Sequence, residues 1–493
     1  MFSSMSSWQT IIDFIARWYW IPLTLMYVGV IVTIIFENRN PSKSLAYILV
    51  IVFLPILGLI IYYLVGKKPA FKRPVLKRKS VFDRQKLAQY FDELRPQMEQ
   101  QLHYLETVIG DMSYPFRYLY NQKQSLISTG NKVTLLNNGE EKFPALFKAL
   151  ENARSHIHIE YYILTADDVG NRLADMLIKK KKEGVEVRVI VDDVGSNHIG
   201  KLPKRFEEAG IEFLRTLPVA FSSLANSNYR NHRKIVVIDG TIGFVGGINL
   251  DDRYWNNGKH DLYWRDTAVC IEGPAVNLLQ AQFMLSWFFS GGSDNFGQPT
   301  DYFNLYPPKK GNAIVSVVAS GPGSAFPYIL ETILVAIHQA KKSIRITSPY
   351  FIPPEQLTSA LVIAASNGVE VELILPAKSD SYIVQHASFS FIKPLLQRGV
   401  KVYLYEKGFI HAKTIFIDSV LAFVGTANLD TRSFFLNFEI TSIIHEAEFC
   451  KACEESFERD KQFSTLVTLE RWLDRPLFYR GLDSVCRLVA ALL

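Results

Sequence analysis

HRKIVVIDGTIGFVGGINLDDR, residues 232–253, returns in the second half of the chain as HAKTIFIDSVLAFVGTANLDTR, residues 411–432. The two stretches share His232/His411, Lys234/Lys413, Asp239/Asp418, Gly246/Gly425, Asn249/Asn428 and Asp251/Asp430 in register. Coincidence does not repeat six positions at matched spacing, so the pattern H-x-K-x4-D with its tail is a duplication. IVVI and TIFI are apolar and rich in β-branched residues, and they read as buried strands. On a strand residues i and i+2 share a face, so each imidazole stands beside an ammonium group. The aspartate has the opposite parity, which gives Asp239 and Asp418 a supporting role.

Around these stretches the two halves repeat a coarse order. A helix near Phe143 to Ala153 leads to the strand HIHIEYYI, then a helix near Asn171 to Lys182 and the strand VEVRVIVDD. In the second half a helix near Tyr328 to Lys341 leads to SIRITSPYF, then a helix near Glu355 to Ser366 and VEVELILP, with GVEV recurring at Gly184 and Gly368. Such alternation predicts an α/β fold with largely parallel strands. The domain limits expected are 67–127 for a basic and helical linker, 128–310 for the first repeat and 311–493 for the second. Residues 1–66 form an anchor.

Brought together, the two half-sites supply two imidazoles, two ammonium groups, two asparagine amides and glycine-lined backbone. That set can attack a phosphorus, protonate a departing alkoxide and hold the negative oxygens of the transition state. Lys234 and Lys413 supply the charge that a metal would otherwise bring, so no metal or other cofactor is expected.

The duplicated H-x-K-x4-D resembles the signature of the phospholipase D superfamily. DDVGS at Asp192, NHRKIVVIDG at Asn231, SPYFIP at Ser348, GFIHAK at Gly408 and a pair of N-terminal apolar runs resemble bacterial cardiolipin synthases. The resemblance implies two tandem phospholipase D-like domains about a pseudo-twofold axis, with both histidines in the cleft. It implies His232 as nucleophile and His411 as acid/base. Lys234, Lys413, Asn249 and Asn428 would grip the phosphate, beside Gly246 and Gly425. Glu439 would orient His232 and Asp266 would orient His411, the alternative being pairing of these acids with Arg265 or Arg432. The implied reaction joins two phosphatidylglycerols into cardiolipin and releases glycerol. A hydrolytic phospholipase D or a phosphatidylserine synthase would use the same side chains with another acceptor, and a non-catalytic lipid-binding scaffold is the reading from a different class.

Composition fits a membrane enzyme. Trp18 to Phe36 and Leu45 to Val65 are uncharged apolar runs, each about the 20 residues that span a bilayer as a helix. KKPAFKRPVLKRK, Lys67 to Lys79, carries seven basic residues and no acid. By the positive-inside rule that end and the N-terminus are cytoplasmic, with Glu37 to Lys43 outside and the catalytic body at the cytoplasmic membrane surface. The same stretch would attract anionic headgroups at about 1 kcal/mol per charge. The whole chain has 54 basic and 48 acidic residues, and without this stretch the basic residues no longer outnumber the acidic ones. A nucleic-acid partner would call for a broad basic surface instead. Cys450-x-x-Cys453 has no second C-x-x-C, and the four cysteines read as free thiols.

Overall fold

The computed structural model describes residues 16–18, 20–36, 41–63, 98–219, 228–293, 301–303 and 307–489. The chain divides into two units, Met1–Pro69 with Ala220–Asn228 and Ala70–Val219 with Tyr229–Leu493.

In the first unit the helical stretch Ala16–Phe36 is 21 residues long and apolar enough to cross a membrane. The second apolar run is not one continuous helix, contrary to expectation. The helix Pro41–Phe53 stops at Leu54, where φ is −130° and ψ is 70°, and a separate helix Pro55–Ile61 follows. Pro55 lacks an N–H and its ring drives the preceding residue out of the helical region. The two helices then approach so closely that a Cβ on Gly58 would lie 2.6 Å from the Val50 carbonyl oxygen. Among the described residues one helix therefore meets the length for a span. The expected outer loop Glu37–Lys43 is shortened, because helix already begins at Pro41. Within the expected linker 67–127, the basic stretch 67–79 and the residues up to 97 lie outside the described residues, while 98–109 are helical.

The second unit is built on one 15-stranded sheet. The first repeat supplies β1 (Ser128–Asn137), β2 (His156–Tyr161), β3 (Glu186–Asp192), β4 (Glu212–Thr216), β5 (Ile235–Ile238), β6 (Ile242–Gly246) and β7 (Thr267–Glu272). The second supplies β8 (Ala313–Ser320), β9 (Ser343–Thr347), β10 (Glu370–Pro376), β11 (Lys401–Tyr405), β12 (Thr414–Ile417), β13 (Leu421–Gly425), β14 (Glu439–His445) and β15 (Ser464–Val467). Their order is β15-β11-β10-β9-β12-β13-β14-β8-β1-β7-β6-β5-β2-β3-β4. Read outward from the antiparallel β1–β8 junction, the two repeats run through equivalent strands in the same sequence.

Within this sheet, among the described residues, the parallel strands are those joined by helices, β2–β3–β4 and β9–β10–β11. The remainder of the sheet is antiparallel, which corrects the expectation of a largely parallel sheet. The reason is local. Asp239 and Gly240 take φ of 53° and 60°, and Asp418 and Ser419 take 55° and 59°, the left-handed pair of a type I′ turn. Such a turn reverses the chain at once, so β5–β6 and β12–β13 are hairpins.

Both faces of the central strands are covered, which is why IVVI is a continuous apolar run. Val236 and Ile238 enter a core with Phe143, Leu173 and Val189 of the first repeat. Ile235 and Val237 enter another that also holds Phe416, Val424 and Ile440 of the second repeat. This shared core, with the continuous sheet, makes the two repeats one compact body. All four cysteines are free.

The turn aspartates face the strand ends. Asp239 accepts the backbone N–H groups of Arg154, Ser155 and His156 at 2.8, 2.7 and 3.0 Å. Asp418 does the same for Lys341, Lys342 and Ser343 at 2.7, 2.8 and 2.7 Å. Each clamps the hairpin to the start of the neighbouring strand. Asp239→Ala and Asp418→Ala should each destabilise the protein by about 2 kcal/mol, since hydrogen bonds to a charged acceptor are lost. A drop in unfolding midpoint for both variants checks this, and unchanged midpoints would contradict the clamp.

Candidate active site

Each histidine enters the site on extended backbone just ahead of β5 or β12 and is held by the opposite repeat. The His232 N–H donates to the Phe438 carbonyl at 2.9 Å, and the His411 N–H donates to the Arg265 carbonyl at 2.6 Å. Phe409–Ile410 pairs in parallel with Trp264–Arg265, and Asn231 bridges to Phe438 in the same sense. Phe438 and Arg265 immediately precede Glu439 and Asp266. The backbone that fixes each histidine therefore also delivers its carboxylate.

The side chains meet accordingly. His232 Nδ1 lies 3.0 Å from both oxygens of Glu439, and His411 Nδ1 lies 2.7 Å from Asp266 Oδ2. A carboxylate can only accept, so the proton sits on Nδ1 and leaves the Nε2 lone pair available for chemistry. Lys234 donates to the His232 carbonyl at 2.8 Å, and Lys413 donates to the His411 carbonyl while lying 2.8 Å from the ring Nδ1. Arg265, by contrast, is committed to Asp460 at 2.7 Å. His232, Lys234, His411, Lys413, Asp266 and Glu439 are all buried.

Burial sets the electrostatics. It lowers the pKa of His232, and it lowers that of His411 to about 3, with Lys413 adding to the fall and Asp266 opposing it. Burial also brings Lys234 to about 7 and Lys413 to about 8, against the pull of Glu439 and Asp266 respectively. For Glu439 burial alone would raise the pKa, but His232, Lys234 and Thr426 hold it below the usual carboxylate range. Asp266 is held down in the same way, against burial, by Lys413 and His411. Lys413 acts on His232 and Lys234 acts on His411, so each half-site lies in the other's field.

The remaining residues of the sequence pattern are placed as follows. Asn249 donates to the Tyr254 hydroxyl at 2.9 Å and accepts the Ile163 N–H at 3.3 Å, while the backbone N–H of the buried Asn428 donates to the Ser433 hydroxyl at 3.2 Å. Gly246 and Gly425 permit close strand approach. A Cβ at Gly246 would lie 2.4 Å from Ala268 Cα, and one at Gly425 would lie 2.5 Å from the Ile440 carbonyl oxygen.

Several members of the site escape the sequence pattern. Tyr162 sets its ring edge-on to His232 at 4.9 Å, and Tyr254 places its hydroxyl 3.4 Å from His411 Nδ1. Trp264 and Tyr350 line His411 at 5.6 and 6.4 Å between ring centroids. Asp192 is fully buried and accepts the Asn231 N–H at 2.8 Å, fixing the entry to the first motif. Thr426 donates to Glu439 Oε2, and Asn437 donates to Glu439 Oε1 at 3.2 Å. The register offers one signal here: Thr426 stands opposite Gly247, and a Cβ on Gly247 would lie 2.1 Å from Asp266 Oδ1. One carboxylate is thus steadied by a hydroxyl where the other fills the space that a side chain would occupy.

The comparisons with known proteins agree in length and in repeat. A family described as "Cardiolipin synthase, PLD-like domain" matches residues 146–287 and 333–461, and one described as "Phospholipase_D-nuclease N-terminal" matches 25–67. The chain is 37% identical over 473 residues to a cardiolipin synthase of Alkalihalophilus pseudofirmus, covering 96% of this chain and 92% of that protein. It is 38% identical to the major cardiolipin synthase of Bacillus subtilis, covering 94% and 96%. Among solved structures, phosphatidylserine synthase of Haemophilus influenzae shares the fold, with a TM-score of 0.58 at 15% identity over 73% of this chain and 95% of that one.

Glu439→Gln and Asp266→Asn should each lower kcat by about 100-fold or more with little change in KM, because the imidazole loses its fixed tautomer. Steady-state kinetics on a soluble phosphodiester substrate test this. In the free enzyme the lysine charges are present at low pH and are lost as pH rises through about 7 for Lys234 and about 8 for Lys413. The kcat/KM should therefore fall across that interval, well below the range of an ordinary lysine. A profile flat to pH 10 would show that the lysine charge is not required.

Proposed function

From membership of the cardiolipin synthase family of phospholipase D-like enzymes, to which this chain belongs, we propose how its paired site carries out phosphatidyl transfer. The protein is a membrane-associated phosphatidyltransferase of the cardiolipin synthase type. The observation that carries the mechanism is the reciprocal pairing of His232 with Glu439 and of His411 with Asp266.

His232 Nε2 attacks the phosphorus of one phosphatidylglycerol as the bond from phosphorus to the glycerol oxygen breaks. His411 gives its Nε2 proton to the departing glycerol, leaving a phosphohistidine on His232. His411 then takes the proton of a terminal glycerol hydroxyl on a second phosphatidylglycerol. That oxygen attacks the phosphohistidine, and cardiolipin leaves with His232 restored. Two phosphatidylglycerols become one cardiolipin and one glycerol. His411 must be protonated to act first as acid, and the arriving phosphate anion favours this by offsetting Lys413 and Lys234. Lys234 and Lys413 face the phosphate oxygens with the charge that balances the transition state, while Glu439 and Asp266 hold the imidazolium forms. The roles of the two histidines follow the superfamily resemblance.

The anchor completes the reading. We place two spans with both ends of the anchor cytoplasmic, the second drawn from the uncharged apolar run Leu45 to Val65. The seven charges of Lys67 to Lys79 support this orientation and a cytoplasmic catalytic body. A lipid acceptor fits a site of buried groups from which bulk water is kept.

Reconstituted protein given labelled phosphatidylglycerol should form cardiolipin and glycerol in equal amounts. Phosphatidic acid as the main product would show hydrolysis instead. His232→Ala and His411→Ala should each reduce synthesis by at least about 1,000-fold, and only His232→Ala should fail to trap labelled phosphoenzyme. Activity should survive EDTA. Restoration of a stripped, inactive enzyme by one stoichiometric divalent ion would overturn the role of the lysines.

Topology has its own measurement. A cysteine replacing Asn38 should react with an impermeant thiol reagent in intact cells, while one replacing Ser80 should not. The reverse pattern would place the catalytic body outside.

A further inference from the structure

The helix Leu477–Val489 closes the described part of the chain, with the sequence LFYRGLDSVCRLV. Its two sides differ sharply. On the inner side Asp483 is buried and paired with His386 at 2.7 Å and with Arg475 at 2.6 Å, and Cys486 is buried beside it. These contacts seat the helix on the helix Tyr382–Phe389. On the outer side Leu477, Phe478, Val485 and Leu488 are 79%, 73%, 62% and 82% exposed. At the helical period these four fall within an arc of about 100°, so they form one stripe. An inner face fixed by an ion pair and an outer face of large apolar side chains cost solubility unless something apolar meets that stripe.

The surface around the stripe identifies the partner. Arg480 and Arg487 lie together on one flank, and Asp483, the single acid of the helix, is turned inward. Cations beside an exposed apolar stripe match the arrangement that lies in a lipid headgroup boundary, with the apolar side chains among acyl chains. The stripe is also linked by side-chain contacts to the residues around His411. Tyr350, which faces His411, donates its hydroxyl to Asp380 at 2.8 Å. Two residues further on, Tyr382 and Ile383 are 60% and 48% exposed. Tyr382 packs against His386, which stacks on Tyr479 next to Phe478. Side-chain contacts therefore lead from Tyr350, beside His411, through Asp380 and the exposed Tyr382 to the terminal helix.

We propose that the outer face of helix Leu477–Val489, with Tyr382 and Ile383, docks in the plane of an anionic lipid bilayer and seats the mouth of the cleft on the surface that holds its substrate. This rests on the reading that the substrate is a bilayer lipid. It adds a second membrane contact, on the catalytic body itself, and gives the C-terminal helix the task of orientation. The basic flank suits phosphatidylglycerol and cardiolipin, which are both anionic.

The test uses the full chain in vesicles of phosphatidylglycerol and phosphatidylethanolamine, with native cysteines replaced by alanine and a spin label on a cysteine at Leu477, Leu488 or, as control, Lys204. Labels at 477 and 488 should gain accessibility to oxygen and lose it to a water-soluble nickel chelate when lipid is present, while the label at 204 stays open to nickel. Nickel access at 477 and 488 in vesicles would overturn the proposal. So would shielding that appears without lipid, whether it rises with protein concentration, as for a second copy, or does not, as for the last residues of the chain. In parallel, Leu477→Asp with Leu488→Asp should reduce turnover on vesicles at least tenfold and leave turnover on short-chain, monomeric phosphatidylglycerol within twofold. Equal vesicle turnover in variant and parent would refute the docking role. If the parent protein makes no cardiolipin from either substrate, the catalytic reading fails, while label depth still decides the docking.

Discussion

Everything in the catalytic body is arranged so that each histidine receives its carboxylate from the opposite repeat. A buried imidazole beside a lysine would be held neutral and free to rotate. The carboxylate fixes its tautomer and stabilises the imidazolium that the reaction creates. Neither repeat contains a complete set. The backbone bonds from His232 to Phe438 and from His411 to Arg265 place the exchange within hydrogen-bonding tolerance. The strands behind them belong to one sheet, and the shared core of Ile235, Val237, Phe416 and Ile440 packs residues of the two repeats together. Removing one partner of such a buried pair leaves an uncompensated charge, at a cost of about 3–5 kcal/mol. The site and the interface between repeats are therefore the same structure.

The symmetry is imperfect where chemistry could use a difference. Glu439 is steadied by Thr426 and Asn437, whereas Asp266 presses against Gly247 with no room for a side chain. His411 is enclosed by Trp264, Tyr254 and Tyr350, and His232 by Tyr162. Two identical half-sites would have no reason to divide nucleophile from acid. Different carboxylates and different ring walls give the two histidines distinct surroundings from one duplicated motif.

Membrane contact is distributed over the chain. An apolar N-terminal helix supplies the anchor, and the broken second run departs from a plain hairpin of two spans. On the catalytic body the terminal helix adds an apolar stripe whose reverse side is locked by His386 and Asp483. An anchor raises the local concentration of lipid, but it does not fix which face of the enzyme meets the bilayer. An in-plane helix beside the cleft does.

Much of this was legible in the residues. The duplicated pattern marked both histidines and both lysines, and the parity of the strand separated them from Asp239 and Asp418, which cap the starts of β2 and β9 instead. The alternation of elements located the strands from His156 and Ser343 and the helices that follow, because period and propensity are local properties. The sense of the strands was not legible from that alternation: type I′ turns at Asp239–Gly240 and Asp418–Ser419 made antiparallel hairpins where a parallel sheet was expected. The likeness to a family pointed Glu439 and Asp266 at the opposite histidines, yet nothing in their local sequence shows it, since they lie far from those histidines along the chain. Tyr162 and Asp192 were missed for the same reason, and Thr426 was missed although it lies inside the second motif, in the place that Gly247 takes in the first. Sequence by itself determined which groups this protein brings to its chemistry, because residue type and spacing are covalent facts. Only the tertiary structure decided which carboxylate meets which histidine and which face of the last helix stays bare, because both depend on how distant segments pack.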